Sequence, residues 1–322
     1  MTMFARAAQA LLFATALMLA PASRAAETII AGGVSSASAN LWPIFIGTKK
    51  GFFADADIKI DLVFSQSNSA TIQQVVVNAI NVSIGSGLVD PIRAIEKGAP
   101  LAIVRIEVQR PPYALIARPG IKEMKDLKGR IVSVGGAKDI TRIFLERMLI
   151  TAGVDPKGVD LIFAGATSAR YSALRSGAAD AAMLTAPYNF DAMAAGFPNL
   201  GLAADYVDMP FSGVTINRNW AARNAGTVRR FLAVYTKSIH WLAAPENRKE
   251  AVDMMVSVSS LKAEDVERAY DFLVTGGFFE TTGRISKAKL GKVVDTLKEL
   301  GDIPRGFAAE RLFLPDVTEL TE

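Results

Sequence analysis

The 322-residue chain contains no cysteine and a single histidine, His240. Without cysteine there is no disulfide, no thiol nucleophile and no residue to carry a lipid at an export cleavage site. One histidine leaves a histidine-based triad and a His/Cys metal cage without their parts. Basic residues do not gather either. Lys and Arg number 36 against 32 Asp and Glu, a net charge of +4, scattered with no aromatic-interleaved stripe of the kind nucleic acid requires. Beyond the N-terminal segment no apolar run approaches the ~20 residues of a membrane span. The glycine motifs are incomplete as well. Gly135-Gly136-x-x-Asp139 lacks the third glycine of a dinucleotide fingerprint, and no Gly-Lys-Ser/Thr follows, which argues against dinucleotides and triphosphates.

What is present begins with Arg6 and the apolar run Ala7–Ala20, ended by Pro21 and followed by Ser23-Arg24-Ala25. A basic start, a short apolar stretch and a small-x-small site read as a secretory signal peptide, residues 1–25, cleaved near Ala25. The mature chain is then expected to be soluble, periplasmic and monomeric, with a net charge of about +2.

From Thr28 onward, β-branched runs alternate with helical patterns, the sign of an α/β protein with mostly parallel sheets. "TIIAGG", "IKIDLVFS", "NVSIGSG" and "LAIVRIEV" read as strands, with helices between them. After "QRPPYALIARPG" the rhythm restarts with "RIVSVGG", "VDLIFAG" and "AADAAMLTAP". The passages Gln73–Gly87 and Ser172–Ala186 look like one helix-to-strand unit used twice. Two similar lobes are expected: residues 26–113 plus 213–322, carrying the C-terminal helices, and residues 114–212 inserted between them. The chain would cross between lobes near Tyr113–Ile116 and near Phe211–Ile216, which makes a hinge.

Ligands of open parallel sheets sit beyond the carboxyl ends of the strands. The segments there are small and polar: "VSSASANLWP", "SQSNSAT", "GSG", "GGAKDITR", "GATSAR" and "LTAPYNF". The helix after Gly136 would offer free N–H groups to an anion, worth roughly 0.3–2 kcal/mol, and Arg142 one turn in could add a bidentate contact. Equally, Asp139 is a good N-cap that satisfies those groups itself and leaves Arg142 in solvent. In "FLAVYTKSIHWLAA" a helix turns Phe231, Tyr235, Ile239 and Leu242 inward and leaves His240 on a flank, far in sequence from the cleft loops.

Four passages in order carry a resemblance: "GTKKGFFADADIKIDLV" (47–63), "GIKEMKDLKGRIVSV" (120–134), "AGVDPKGVDLI" (152–162) and "ALRSGAADAAMLTAPY" (173–188). The chain resembles the periplasmic solute-binding proteins of ABC importers, in the taurine/nitrate/sulfonate family that includes thiamine-precursor binders. The resemblance implies the two-lobed type II periplasmic binding protein fold, with a small-molecule solute held by hinge closure and delivered to an ABC permease in the inner membrane. It implies no catalysis, metal or cofactor. Ligand contacts would come from Ser36, Asn40, Trp42, Gln66, Ser67, Ser86 and Gly87 in the first lobe. Gly136, Thr141, Arg142, Thr167, Thr185 and Tyr188 would supply them in the second. A sulfonate, carboxylate or related zwitterion is the expected solute, and Trp42, Tyr188 and Phe211 leave room for a heteroaromatic body. One departure is that Asn78 and Asn81 stand where the family commonly has Gly and Asp. The alternatives are an enzyme on the same scaffold, like the thiamine-pyrimidine synthases, and a periplasmic ligand sensor.

Overall fold

The computed structural model describes residues 26–34, 38–259 and 261–322; the expected signal peptide lies outside them. The chain opens with β1 (Glu27–Gly33), α1 (Trp42–Lys49), β2 (Ile58–Phe64), α2 (Asn68–Val76), β3 (Val82–Gly87), α3 (Val89–Glu96) and β4 (Leu101–Val108). It continues with β5 (Ala114–Ala117), β6 (Ile131–Val134), α4 (Ile140–Thr151), β7 (Asp160–Phe163), α5 (Thr167–Ser176), β8 (Ala181–Leu184), α6 (Tyr188–Ala194) and β9 (Asn199–Leu202). After β10 (Ser212–Asn217) come α7 (Arg218–Arg223), α8 (Ala225–Ala243), α9 (Arg248–Ser259) and α10 (Ala263–Tyr270). The last elements are β11 (Ile285–Ser286), α11 (Lys287–Glu299) and β12 (Leu320–Thr321).

Among the described residues two five-stranded sheets form, in the orders β2-β1-β3-β10-β4 and β7-β6-β8-β5-β9. Each is a lobe, and the orders correspond position by position. In the first, β10 runs antiparallel to β3 and β4; in the second, β5 runs antiparallel to β8 and β9. The repeated helix-to-strand unit is α2–β3 in one lobe and α5–β8 in the other. The reversed strands follow from the crossings. A chain that leaves one lobe at the carboxyl ends of its strands reaches the other lobe at the equivalent edge. It must then run away from that edge, against its new neighbours. The segments expected to cross, near Tyr113–Ile116 and Phe211–Ile216, are therefore largely the strands β5 and β10, and the crossings precede them.

Both crossings are pinned by rings. Tyr113 and Phe211 meet edge to face with centroids 5.1 Å apart, and Phe144 of α4 packs at 6.1 Å from Tyr113 and 6.4 Å from Phe211. All three are buried, and each such side chain contributes ~1.5–3 kcal/mol by burial. Around the first lobe, α8 turns Phe231, Tyr235, Ile239 and Leu242 into the core, the inward face its spacing predicts. Phe231 stacks on Phe53 at 5.7 Å. His240 is exposed, its Nε2 2.7 Å from the Thr281 carbonyl.

The two asparagines have local tasks. Asn78 takes a left-handed φ of 57°, a conformation Asn tolerates better than most residues, and it ends α2 two residues beyond Val76. Asn81 accepts the Ile30 N–H at 2.8 Å, so an amide rather than a charge ties β3 to β1. Among the described residues no helix is long and apolar enough to cross a membrane.

Candidate functional site

The segments after the carboxyl ends of β1, β2, β6, β7 and β8 meet around a cavity of about 50 Å³. The first lobe contributes Val34, Ser38, Ser67 and Asn68 to its wall; the second contributes Asp139, Thr167, Arg170, Thr185 and Tyr188, and Tyr113 lies at the outward crossing. The lobes touch beside it. Gly165 has φ +51°, and a Cβ there would stand 2.7 Å from the Gln66 carbonyl oxygen; a Cβ on Gly87 would stand 2.9 Å from Ile140 Cγ2. Glycine at both positions lets the strand ends of one lobe approach the helix starts of the other.

Three longer helices begin at this wall, and their N-termini differ. Ser67 caps α2 by accepting the Ala70 N–H at 3.3 Å. Asp139 caps α4, accepting the Thr141 N–H at 2.9 Å, and its other oxygen accepts from Asn68 Nδ2 across the cleft at 3.2 Å. α5 has no side-chain cap, so the end formed by Gly165, Ala166 and Thr167 keeps its partial positive charge toward the cavity.

Arg170, one turn into α5, strengthens that charge. Its Nε donates to the Met183 carbonyl at 2.7 Å, its Nη1 to the Gly165 carbonyl and its Nη2 to Thr167 Oγ1 at 2.7 Å. The side chain is 2% exposed, and these partners are all neutral. Taking an unpaired cation out of water costs several kcal/mol. The Tyr113 ring, 5.6 Å away, offsets part of this through its π face. Burial pushes the Tyr113 phenol up to about 12, so it remains a neutral hydroxyl. Thr185 Oγ1, on a residue 3% exposed, has no hydrogen-bond partner. The wall therefore offers a buried cation, an uncapped helix end and an unsatisfied hydroxyl.

Of the residues expected from sequence, Ser67, Thr167, Thr185 and Tyr188 line this cavity. Ser36 lies outside the described residues. Trp42 is core, its ring 6.4 Å from Tyr270, and Phe211 belongs to the crossing cluster, so of the three expected aromatic contacts only Tyr188 reaches the wall. Asn40 is buried in the turn before α1, away from the wall, its Oδ1 unpartnered. Gln66 meets the second lobe through its carbonyl, and Ser86 is buried with its hydroxyl 2.7 Å from that of Ser83. Gly87 packs on Ile140 instead of lining the cavity. Gly136 is off the wall, its neighbour Gly135 being on it. Thr141 hydrogen-bonds Asp139 at 2.5 Å and accepts from the Gly135 N–H at 2.9 Å.

Arg142 lies off this wall, as the capping alternative expected: it pairs with Glu146 at 2.7 Å, donates to the Ala137 carbonyl at 2.6 Å and borders a separate cavity of about 120 Å³. Arg170, Tyr113 and Asn68 are among the wall residues that sequence reasoning passed over. Arg142 is the third residue of its helix and Arg170 the fourth of its own. One residue is a rotation of ~100° on a helix, enough to turn one guanidinium outward and the other in.

Comparison with known proteins follows this geometry. The sequence profile of the family described as NMT1/THI5 like matches residues 38–248. No curated protein matches the chain in sequence. Among solved structures, the periplasmic aliphatic sulphonate binding protein SsuA from Escherichia coli superposes with a TM-score of 0.73 at 18% identity, over 92% of this chain and 94% of that one. The alkanesulfonate-binding protein SsuA from Xanthomonas axonopodis pv. citri, bound to MOPS, gives 0.72 at 16%, over 91% and 98%. The periplasmic nitrate-binding protein NrtA from Synechocystis PCC 6803 gives 0.70 at 13%, over 88% and 84%. At such identities the likeness establishes the fold, two α/β lobes of the periplasmic binding protein kind.

Proposed function

The chain belongs to the NMT1/THI5-like family, and from that premise we propose that it is the exported substrate-binding component of an ABC import system. It holds a small organic anion, a sulfonate or carboxylate, between its lobes and delivers it unaltered to a permease in the inner membrane. On this reading the signal peptide is removed near Ala25 and the mature protein works in the periplasm as a monomer.

The observation that carries the reading is Arg170. A guanidinium buried against neutral partners, beside an uncapped helix end, is costly, and an anion bound there would offset that cost. The sulfonate- and nitrate-binding character of the structural relatives agrees with this electrostatic design. Against the enzyme alternative, the one carboxylate on the wall, Asp139, is committed to capping α4 and to Asn68, and His240 lies on the exposed flank of α8.

A thermal-shift series tests the proposal, because a ligand selective for the native state raises the melting temperature. Small sulfonates, carboxylates and nitrate are compared with uncharged pyrimidines on the wild type and on Arg170→Met. The expected result is stabilisation by at least one anion that is lost in the variant. Stabilisation by pyrimidines alone, or an anion effect that survives Arg170→Met, would overturn the reading.

A further inference from the structure

Outside the ligand cavity, the turn that leads into α4 is gripped by the other lobe. Arg93 of α3 donates through Nη1 to the carbonyl of Lys138 and through Nη2 to Asp302 Oδ2. Lys138 returns the contact, its Nζ 3.5 Å from Asp302 Oδ1. Arg93 and Asp302 belong to the first lobe and Lys138 to the second, so the cluster closes across the cleft. Its Arg93–Asp302 core is largely desolvated, with side-chain exposures of 11% and 17%, while the Lys138 side chain is mostly in solvent.

The neighbouring charges sharpen this assignment. Asp90 lies 3.7 Å from Arg93, but its carboxyl is pushed up to about 7 by burial and by Asp139 across the cleft, so it competes weakly for the guanidinium. Arg147 and Glu299 also bridge the lobes, but with 38% and 64% of their side chains exposed, where an ion pair contributes little. Within the cluster, the Arg93–Asp302 pair lies inside one lobe, and the Lys138 carbonyl and ammonium reach it from the other. Asp139, the next residue, borders both the ligand cavity and the latch-side cavity, so the two sites are one residue apart.

We propose that Arg93, Asp302 and the Lys138 backbone form a closure latch that fixes how much of the protein is shut independently of what occupies the cavity. This rests on the inter-lobe binding reading above and adds a separate determinant of affinity. The latch favours the closed form without touching solute, so it strengthens every ligand by the same factor.

The absence of native cysteine makes the test direct. Val77→Cys after α2 and Ile150→Cys in α4, both exposed, take a pair of spin labels, and the inter-lobe distance distribution is recorded on the full-length protein without added ligand. Arg93→Ala should lower the closed fraction at least threefold. Lys138→Met, which removes only a solvent-exposed ammonium and keeps the backbone carbonyl, and Arg147→Ala should both leave it nearly unchanged. Identical distributions in wild type and Arg93→Ala would overturn the latch, as would an Arg147→Ala effect as large as that of Arg93→Ala. If Arg93→Ala fails to fold, Arg93→Lys decides: it keeps the charge but lacks the fork that reaches the Lys138 carbonyl and Asp302 together, and a closed fraction equal to that of the wild type would overturn the latch. The measurement uses no ligand, so failure of the latch leaves the anion reading standing, and failure of the anion panel leaves the latch result intact.

Discussion

Gly87→Ala is the sharpest probe of closure, because the added methyl is harmless to its own lobe. Its Cβ would stand 2.9 Å from Ile140 Cγ2 and 3.5 Å from Ile140 Cβ, and the next neighbour, Asn68 Nδ2, lies at an ordinary 3.7 Å. Carbon atoms pack best at ~3.5–4.0 Å, so the closest contact is short by more than half an ångström. Ile140 is fully buried at the start of α4 and its Cγ2 sits on a branched, stiff side chain. Overpacking of this kind costs ~1–3 kcal/mol, and here the cost falls on the closed form alone. Solute affinity should therefore drop about 5- to 150-fold, while the urea stability of the ligand-free protein changes by no more than about 0.5 kcal/mol. Titration calorimetry with the anion giving the largest thermal shift reads the first quantity. Adding Ile140→Ala to the variant should recover part of the loss, as expected of residues in contact. Unchanged affinity would refute the reasoning, and an equal loss of ligand-free stability would show that the methyl collides within its own lobe.

Three further outcomes are expected. Thr185→Val, which removes an unpartnered buried hydroxyl and keeps its shape, should weaken anion binding by about 1 kcal/mol without lowering ligand-free stability; a destabilised protein with normal affinity would contradict it. Arg142→Ala should leave affinity within about 0.5 kcal/mol of wild type by calorimetry, because its guanidinium is engaged with Glu146 at the surface. Glu107 is fully buried, accepts the Gly85 N–H at 2.6 Å and the Tyr235 hydroxyl, and is pushed up to about 7 chiefly by burial. Its folded-state value exceeds its unfolded one, so its stabilising contribution is complete below the ordinary carboxylate range and is lost as pH rises through about 7. Urea unfolding should thus show lower stability at pH 8 than at pH 5, with a smaller difference in Glu107→Gln; an unchanged difference would remove Glu107 as a source.

The residue pattern alone determined a good deal. "LAIVRIEV" is β4 from end to end, because its β-branched and aliphatic residues suit a strand covered on both faces. The inward stripe of α8 followed from helical spacing, and the repeated helix-to-strand unit marked two equivalent lobes. These features are local. Hydrophobic periodicity and turn residues write them directly into consecutive positions.

Other features were decided only by the assembled fold. "ALIA" and "SGVTIN" became reversed strands because of where the chain arrives after crossing, which no window of sequence contains. Trp42, placed on the ligand by its position after a strand, was claimed by Tyr270 from a helix more than two hundred positions away. Arg142 and Arg170 have nearly the same local setting, yet Glu146 holds the first outside while the carbonyls of Gly165 and Met183 draw the second into the cleft. Sequence determines which segments fold and along which face. The site itself is made of contacts between segments remote in the chain, and a single 100° step of a helix settles which of two arginines faces the cavity.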